Sequence, residues 1–211
     1  MNKRQFLLLA LYGGRSRRWE RVSHAHVLSY GMPGARLTAK HKAICQVVAD
    51  GVTVVVAAGN SAADLSGFVP AAYNKVIAVT ALADSDGGSC GAGALTSYGA
   101  DDTFASFSNF ATGADLNHVI AAPGVSILST YKGGSYATLS GTSMASPHVA
   151  GAAALYLFTN PGTSPATVLG ALLAGGEPLD VNFNTECAGG AASHTDVSGT
   201  HPEPVVRADA L

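Results

Sequence analysis

The sequence has little charge for its length. Charged side chains make up 12% of its 211 residues, and the formal net charge is −2. Six of the twelve Lys and Arg residues lie within the first 21 positions, so the remainder of the chain is mildly acidic. Because nucleic-acid-binding proteins present a basic surface, this distribution argues against nucleic acid as a partner.

Cysteine is also scarce, and long apolar runs are absent. No C-x-x-C pair and no His/Cys cluster at zinc spacing occurs among the three cysteines. Cys45 falls in a helical pattern and is expected to pack as a small buried hydrophobe. For Cys90 and Cys187, a disulfide in an oxidising compartment and two free thiols are both open. No stretch reaches the roughly 18 apolar residues of a membrane span, so we expect a soluble chain without membrane contact.

The first 22 residues form a basic and apolar leader, "MNKRQFLLLALYGGRSRRWERV". Its apolar run, residues 6–11, is short for a signal peptide, and no A-x-A cleavage site follows. A targeting segment and a poorly ordered leader at a truncated start are the two alternatives. We expect residues 23–176 to form one domain and residues 177–211 a loop-rich tail.

The body of the chain alternates strand-like and helix-like segments. "VTVVVAAGN" and "KVIAVTAL" are runs rich in β-branched residues, typical of strands buried on both faces. A short strand is predicted at residues 26–31, and "HVIAAPG", "VSILSTY" and "SYATLSG" predict further strands. Before the first long run, apolar residues recur at helical spacing: Leu37, Ile44, Val47 and Val48. A helix between buried strands predicts a three-layer α/β fold with a mostly parallel sheet.

Two helices are predicted in a stretch without charged residues. "SMASPHVAGAAALYLF" is apolar nearly all round, which fits a helix enclosed by the protein. Pro147 is tolerated in a first helical turn, so this helix is expected to begin near Ser143. "SPATVLGALLAGG" predicts a second helix, with Ser164 before it and Pro165 in its first position.

Ser143 stands at the start of the first of these helices. Serine there most often caps backbone N–H groups. Its neighbours favour a nucleophile instead, because Gly141 permits close approach of a substrate and Ala145 leaves room. The helix start also supplies N–H groups and positive potential for an oxyanion. The α/β-hydrolase pattern G-x-S-x-G is not matched, since its fifth position is Ala145.

Several motifs carry a resemblance to a known family. "GTSMASPHVAG", residues 141–151, is similar to the nucleophile motif of the subtilisin-like serine proteases, and "VVVAAGN", residues 54–60, resembles their oxyanion strand. "ASFSN", "AAPGVSILST" and the strand and turn at residues 28–34 also match, in order, over roughly residues 25–175. The resemblance implies an extracellular endopeptidase in which Ser143 forms an acyl-enzyme with polypeptide substrates. Asn60 would join the Ser143 N–H in stabilising the oxyanion.

The same resemblance implies a substrate-binding cleft. One wall of the S1 pocket would come from Ala57, Ala58 and Gly59. The segment at Gly31 and Met32 would pair with an extended substrate, although this chain has Gly-Met-Pro where the family usually shows Ser-Leu-Gly.

Two residues beside this pocket carry more specific expectations. Phe68 stands where relatives often have a small residue at the pocket floor, which predicts a shallow pocket that favours small P1 side chains. The Val69–Pro70 bond is expected to be cis, because relatives have a cis X-Pro bond in a similar context.

The family's catalytic Asp and His precede the serine in D-[ST]-G and H-G-T motifs, and neither motif occurs in this sequence. His24 and His26 have different neighbours, and His148 belongs to a Pro-His pair that is structural in the family. The chain therefore resembles the second half of a catalytic domain, with an N-terminal segment or a pro-peptide as a candidate partner.

Three expectations follow from the missing motifs. The chain alone should not hydrolyse peptides at a family-like rate. "VTVVVAAGN", lacking flanking strands, should face solvent or an unpaired edge and promote aggregation. A non-catalytic remnant that keeps a peptide-binding groove, and another serine hydrolase with a locally assembled triad, are the alternative functions.

The chemistry requires no cofactor, but the resemblance implies a structural calcium ion. In many relatives that ion uses main-chain carbonyls and an aspartate just before the "SFSN" segment. Here these would be Asp102 and carbonyls of residues 70–73, which offer the oxygen ligands that calcium prefers. A solvated loop pair of Asp101 and Asp102 is the simpler interpretation.

Overall fold

The computed structural model describes residues 25–28, 32–33, 38–87, 93–177, 202–209 and 211. The predictions made for the leader, for Gly31 and for a Cys90–Cys187 disulfide lie outside these ranges.

The core is a mostly parallel sheet. Its strands are β1 (Ala25–Leu28), β3 (Thr53–Ala57), β5 (Ile77–Ala83) and β7 (Val119–Pro123), which pair in that order and all in parallel. The short β6 (Thr103–Phe104) pairs antiparallel with the end of β5. Every residue of β3 and β5 is buried, which confirms the two-sided strands expected from their β-branched composition.

Two short antiparallel pairs lie outside this sheet. β2 (Met32–Pro33) pairs with β4 (Phe68–Val69), and β8 (Ile127–Tyr131) forms a hairpin with β9 (Ser135–Leu139). The hairpin leads directly into the helix that carries Ser143.

The described residues form three α-helices: α1 (Thr38–Ala49), α2 (Thr142–Thr159) and α3 (Pro165–Gly175). Short 3-10 helices lie at Leu65–Gly67, Gly113–His118 and Lys132–Gly134. The predicted α/β architecture is therefore confirmed. The Ser164 hydroxyl caps α3 by accepting a 3.2 Å hydrogen bond from the Thr167 N–H. No helix in the described ranges is long and apolar enough to cross a lipid bilayer.

The expectation that "VTVVVAAGN" would lie unpaired was wrong. β3 lies between β1 and β5 and pairs with both. The reason is that residues 25–28 supply the flanking strand, with Val27 opposite Val55.

α2 packs one face against the sheet and α3, burying Ala145, Val149, Ala153 and Leu157. The expectation that it would be enclosed was wrong for its other face, where Leu155 is 54% and Phe158 82% exposed. No described element covers that stripe. α2 begins at Thr142, one residue before the expected start, so Pro147 lies in its second turn.

α1 also departs from expectation in part. Ile44 is buried and Val48 half-buried, but Val47 is exposed because it lies at the margin of the apolar face. Cys45 is a half-buried free thiol and not a fully buried core residue.

The described end of the chain packs onto the domain. Val205 bridges to Ala121 in β7, and the Val205 N–H and the Glu177 carbonyl form a 2.8 Å hydrogen bond. The buried Glu203 accepts a 2.8 Å hydrogen bond from the Ala111 N–H. These contacts extend the sheet beyond β7.

Candidate active site

Ser143 is the second residue of α2 and is half-buried. The helix is preceded by Gly141, whose N–H donates a 2.8 Å hydrogen bond to the Gly124 carbonyl. Gly141 has φ +150°, and a Cβ built there would lie 3.2 Å from Asn60 Nδ2. A side chain is therefore disfavoured both by the backbone conformation and by the neighbouring amide. The AAPG and GTS motifs thus meet at the turn before the serine.

Asn60 follows β3, and its side chain reaches the start of α2. Its Oδ1 accepts hydrogen bonds from the Thr142 N–H at 2.9 Å and from the Thr142 hydroxyl at 2.8 Å. Two donors on the same atom set the orientation of the amide, since Nδ2 cannot accept hydrogen bonds. The structure therefore brings Asn60 and Ser143 together through the residue between Gly141 and the serine.

Thr142 is a site residue that our sequence analysis missed. It is 1% exposed, and its hydroxyl also accepts a 3.2 Å hydrogen bond from the Gly59 N–H. It therefore joins the start of α2 to the loop after β3. The sequence feature that could have identified Thr142 is its place inside the GTS motif.

The predicted S1 wall comprises Ala57, the last residue of β3, with Ala58 and Gly59 in the loop that follows. Ala57 and Ala58 are buried, so a substrate would meet their backbone and not their methyl groups. Gly59 has φ +113°, and a Cβ there would lie 2.4 Å from Asn109 Nδ2 and 3.7 Å from Phe68 Cδ1. Phe68 therefore stands beside Gly59, the arrangement on which the shallow-pocket prediction depends.

The described part of the predicted substrate-binding edge is the short strand β2, Met32–Pro33. Met32 pairs with Val69 and Pro33 with Phe68, so this edge adjoins the strand that carries the candidate pocket residue. The Val69–Pro70 bond is cis, which confirms the expectation for this position.

The three histidines whose side chains the structure describes each contact a group of a residue other than Ser143. His41 stacks on Tyr73 with ring centroids 4.4 Å apart. His118 is buried, and its Nε2 lies 3.0 Å from the Ala71 carbonyl. His148 Nδ1 lies 3.0 Å from the Met144 carbonyl, on the helix itself. The His148 side chain is exposed.

Asp102 lies in an acidic cluster. Carboxylate oxygens of Asp84, Asp101 and Asp102 lie within 4.8 Å of one another. Asp101 and Asp102 are each 6% exposed, so the interpretation as a solvated pair was wrong. Carboxylate oxygens suit a hard cation such as calcium. Two of the expected carbonyl ligands have hydrogen-bond partners: the Pro70 carbonyl accepts from the Tyr73 N–H, and the Ala71 carbonyl contacts His118.

Hydrogen bonds hold Asp101 ionised within this cluster. Its two carboxylate oxygens accept from the Ser85 N–H at 2.6 Å and from the Gly93 N–H at 2.7 Å. Burial acts to raise the pKa of Asp101, but hydrogen bonds from Ser85, Gly93 and Asp102 outweigh it and leave the pKa below its usual value. The carboxylate therefore ties together the two ends of the segment between Ser85 and Gly93.

Comparison with known proteins identifies the family. A sequence profile of the Subtilase family, Peptidase_S8, matches residues 21–179. The chain belongs to the subtilase family. This subtilase chain is 45% identical over 149 residues to the "Extracellular protease" of Xanthomonas campestris pv. campestris, and 40% identical over 141 residues to "Subtilisin BL" of Lederbergia lenta. Each match covers 67% of the chain, but only 22% and 44% of the respective relatives.

Solved structures agree with the family assignment. The chain superposes on a cold-adapted subtilisin-like serine proteinase with a TM-score of 0.65 and 29% sequence identity. The superposition covers 87% of this chain and 54% of that one. A protease of Pseudoalteromonas arctica gives the same TM-score at 25% identity and is covered to 49%. The subtilase chain thus spans about half of these structures.

Proposed function

We propose that this subtilase chain supplies the nucleophile and the oxyanion donors of a serine endopeptidase. The observation that carries the proposal is the pair of hydrogen bonds from Thr142 to Asn60 Oδ1, at 2.9 and 2.8 Å. They place an oriented amide beside the first turn of the helix on which Ser143 lies. Polypeptides are the proposed substrates, as for relatives named proteases.

In this mechanism the Ser143 hydroxyl attacks the scissile carbonyl and passes its proton to a general base. The tetrahedral oxyanion accepts hydrogen bonds from Asn60 Nδ2 and the Ser143 N–H. The positive end of the α2 dipole favours the same negative charge. Collapse expels the amine, which takes up the proton, and leaves an acyl-enzyme at Ser143 that water then hydrolyses.

We propose that the base and its orienting acid come from a segment carrying the D-[ST]-G and H-G-T motifs, which this sequence lacks. Without a base the serine hydroxyl is a weak nucleophile. In subtilisin itself, loss of the serine or histidine alone costs about 10⁶ in kcat. The chain alone is therefore expected to turn over peptides very slowly.

A peptidase assay on the completed site tests this proposal. The chain is combined with the Asp- and His-bearing segment of a relative such as Subtilisin BL, and release of a peptide anilide is followed. Turnover should appear, vanish in Ser143→Ala and persist in Ser129→Ala, a change at an exposed serine of β8. Asn60→Ala should lower kcat by about 10²–10³-fold, a loss established on subtilisin, whereas Asn74→Ala, at an exposed turn, should not. Turnover that survives Ser143→Ala would contradict the proposal.

The second candidate is a non-catalytic remnant that binds peptides. It is favoured by the absence of the D-[ST]-G and H-G-T motifs from the sequence. A remnant would bind an extended peptide along β2 without turnover in the completed assembly. Isothermal titration with an uncleaved peptide, beside the anilide assay, separates the two functions.

The pocket supports a preference for small P1 side chains. Phe68 lies beside Gly59, where it reduces the space behind the backbone of the S1 wall. Phe68→Ala should raise kcat/KM for substrates with Phe at P1 relative to those with Ala at P1, measured in the completed assembly. A wild-type preference for large aromatic P1 residues would contradict the assignment.

We further propose a secreted location, because relatives are named extracellular proteases.

We also propose a structural calcium ion at Asp102. Asp84 and Asp101 would contribute the neighbouring oxygens. Calcium should raise the midpoint of thermal unfolding of the chain, and Asp102→Asn should abolish that shift. An equal shift in the variant would place calcium elsewhere.

A further inference from the structure

A buried side-chain amide contacts the loop that carries Asn60. Asn109, the last residue of the "ASFSN" motif, is 0% exposed. Burying an amide costs free energy unless its polar atoms form hydrogen bonds. Asn109 Nδ2 donates to the Ala58 carbonyl at 2.9 Å, and Oδ1 accepts from the N–H groups of Ser61 at 2.9 Å and Ala63 at 3.3 Å.

These contacts lie on both sides of Asn60. The Asn109 N–H also donates to the Gly59 carbonyl at 2.9 Å. Asn109 therefore contacts residues 58, 59, 61 and 63 of the loop, while the side chain of Asn60 contacts Thr142. Gly59 cannot carry a side chain, because its Cβ would lie 2.4 Å from Asn109 Nδ2.

The loop therefore forms hydrogen bonds with both Asn109 and Thr142. On one side Asn109 contacts the backbone before and after Asn60. On the other, Thr142 donates its N–H to Asn60 Oδ1, and its hydroxyl accepts from the Gly59 N–H. An amide donor stabilises an oxyanion only if it is already aimed at the place where the charge develops. A displacement of about 1 Å in such a group can cost about 100-fold in rate.

We propose that Asn109 is a positioning residue for the oxyanion donor, acting on Asn60 through the loop of residues 58–63. It does not touch the substrate. The inference rests on the proposed function for its catalytic consequence, but its structural consequence can be measured without turnover.

Amide hydrogen exchange on the chain alone tests the structural consequence. Asn109→Ala should speed exchange at Ser61 and Ala63, whose acceptor is removed, and also at Thr142, whose N–H is bonded to Asn60. A role confined to the local loop would speed exchange at Ser61 and Ala63 only. Asn117→Ala, at an exposed asparagine that donates to the Ala114 carbonyl, is the matched control and should change none of the three.

A second variant guards against loss of folding. Asn109→Leu nearly keeps the side-chain volume and so avoids the cavity of Asn109→Ala, but it loses the contacts to Ala58, Ser61 and Ala63. Thr142 exchange should therefore again be faster than in wild type. Unchanged Thr142 exchange in a folded Asn109 variant would overturn the proposal, whatever the activity of the chain.

The catalytic consequence is tested by a double-mutant cycle in the completed assembly. Asn109→Ala should lower kcat by about 10- to 100-fold when Asn60 is present, and by much less in the Asn60→Ala background. Equal losses in both backgrounds would show that Asn109 does not act through Asn60. Absence of turnover in every variant would count against the proposed function, while the exchange result would still decide the role of Asn109.

Discussion

At the scale of single residues, the candidate site depends on close approaches between groups far apart in the chain. Asn60 and Thr142 are 82 positions apart in the sequence. Asn109 lies between them in the sequence, and its side chain contacts the loop that carries Asn60. The motifs suggested that Ser143 and Asn60 act together. The contacts that join them could not be predicted, because local sequence patterns do not specify which side chains meet across a sheet.

Gly141 provides a stability test at this scale. Its φ of +150° and the 3.2 Å approach to Asn60 Nδ2 predict that Gly141→Ala destabilises the fold by about 1–3 kcal/mol. Gly170→Ala, in α3 with nothing within 4 Å of the added methyl, should instead stabilise by about 0.5–1 kcal/mol. Urea unfolding of both variants measures whether each change lowers or raises the free energy of unfolding. Equal effects of the two changes would contradict the strained geometry at Gly141.

At the scale of elements, the buried strands were predictable and the cover of the helices was not. β3 and β5 are rich in β-branched residues, which fit strands buried on both faces. The Ser164 cap of α3 also follows a local rule. An apolar helix such as α2 gives no such guidance, because its composition does not tell which face a neighbour will cover. Val47 of α1 is exposed because it lies at the margin of the apolar face of that helix.

The segment between Asp84 and Asp102 should depend on pH. The folded-state pKa of Asp101 lies below its usual value, so its stabilisation is present above the unfolded pKa of about 3.9 and is lost as pH falls through the folded pKa. Asp101→Asn should cost about 1–3 kcal/mol at neutral pH, and the difference from wild type should shrink in acid. Urea midpoints across this pH range measure the effect, with Asp50→Asn, at the exposed end of α1, as control. A difference independent of pH would refute the role given to the carboxylate.

At the scale of the whole molecule, the described elements leave two large apolar side chains of α2 uncovered. Leu155 and Phe158 lie one turn apart, 54% and 82% exposed, and contiguous apolar surface promotes association. The wild-type chain should therefore self-associate, and Phe158→Gln should reduce the association. Leu95→Gln removes an 81% exposed side chain from a loop and is the matched control. Sedimentation velocity measures the outcome, and an association unaffected by Phe158→Gln would locate the contact elsewhere.

The reactivity of Ser143 in the isolated chain tests the central claim most directly. The folded chain is treated with a fluorophosphonate beside Subtilisin BL, and labelling is followed by mass spectrometry with Ser143→Ala as the blank. The account predicts that the chain is labelled far more slowly than the relative, because its sequence contains no H-G-T motif to supply the histidine base. Rapid stoichiometric labelling of Ser143, with peptide turnover abolished by Ser143→Ala, would contradict it and require a base among His24, His26, His118 and His194.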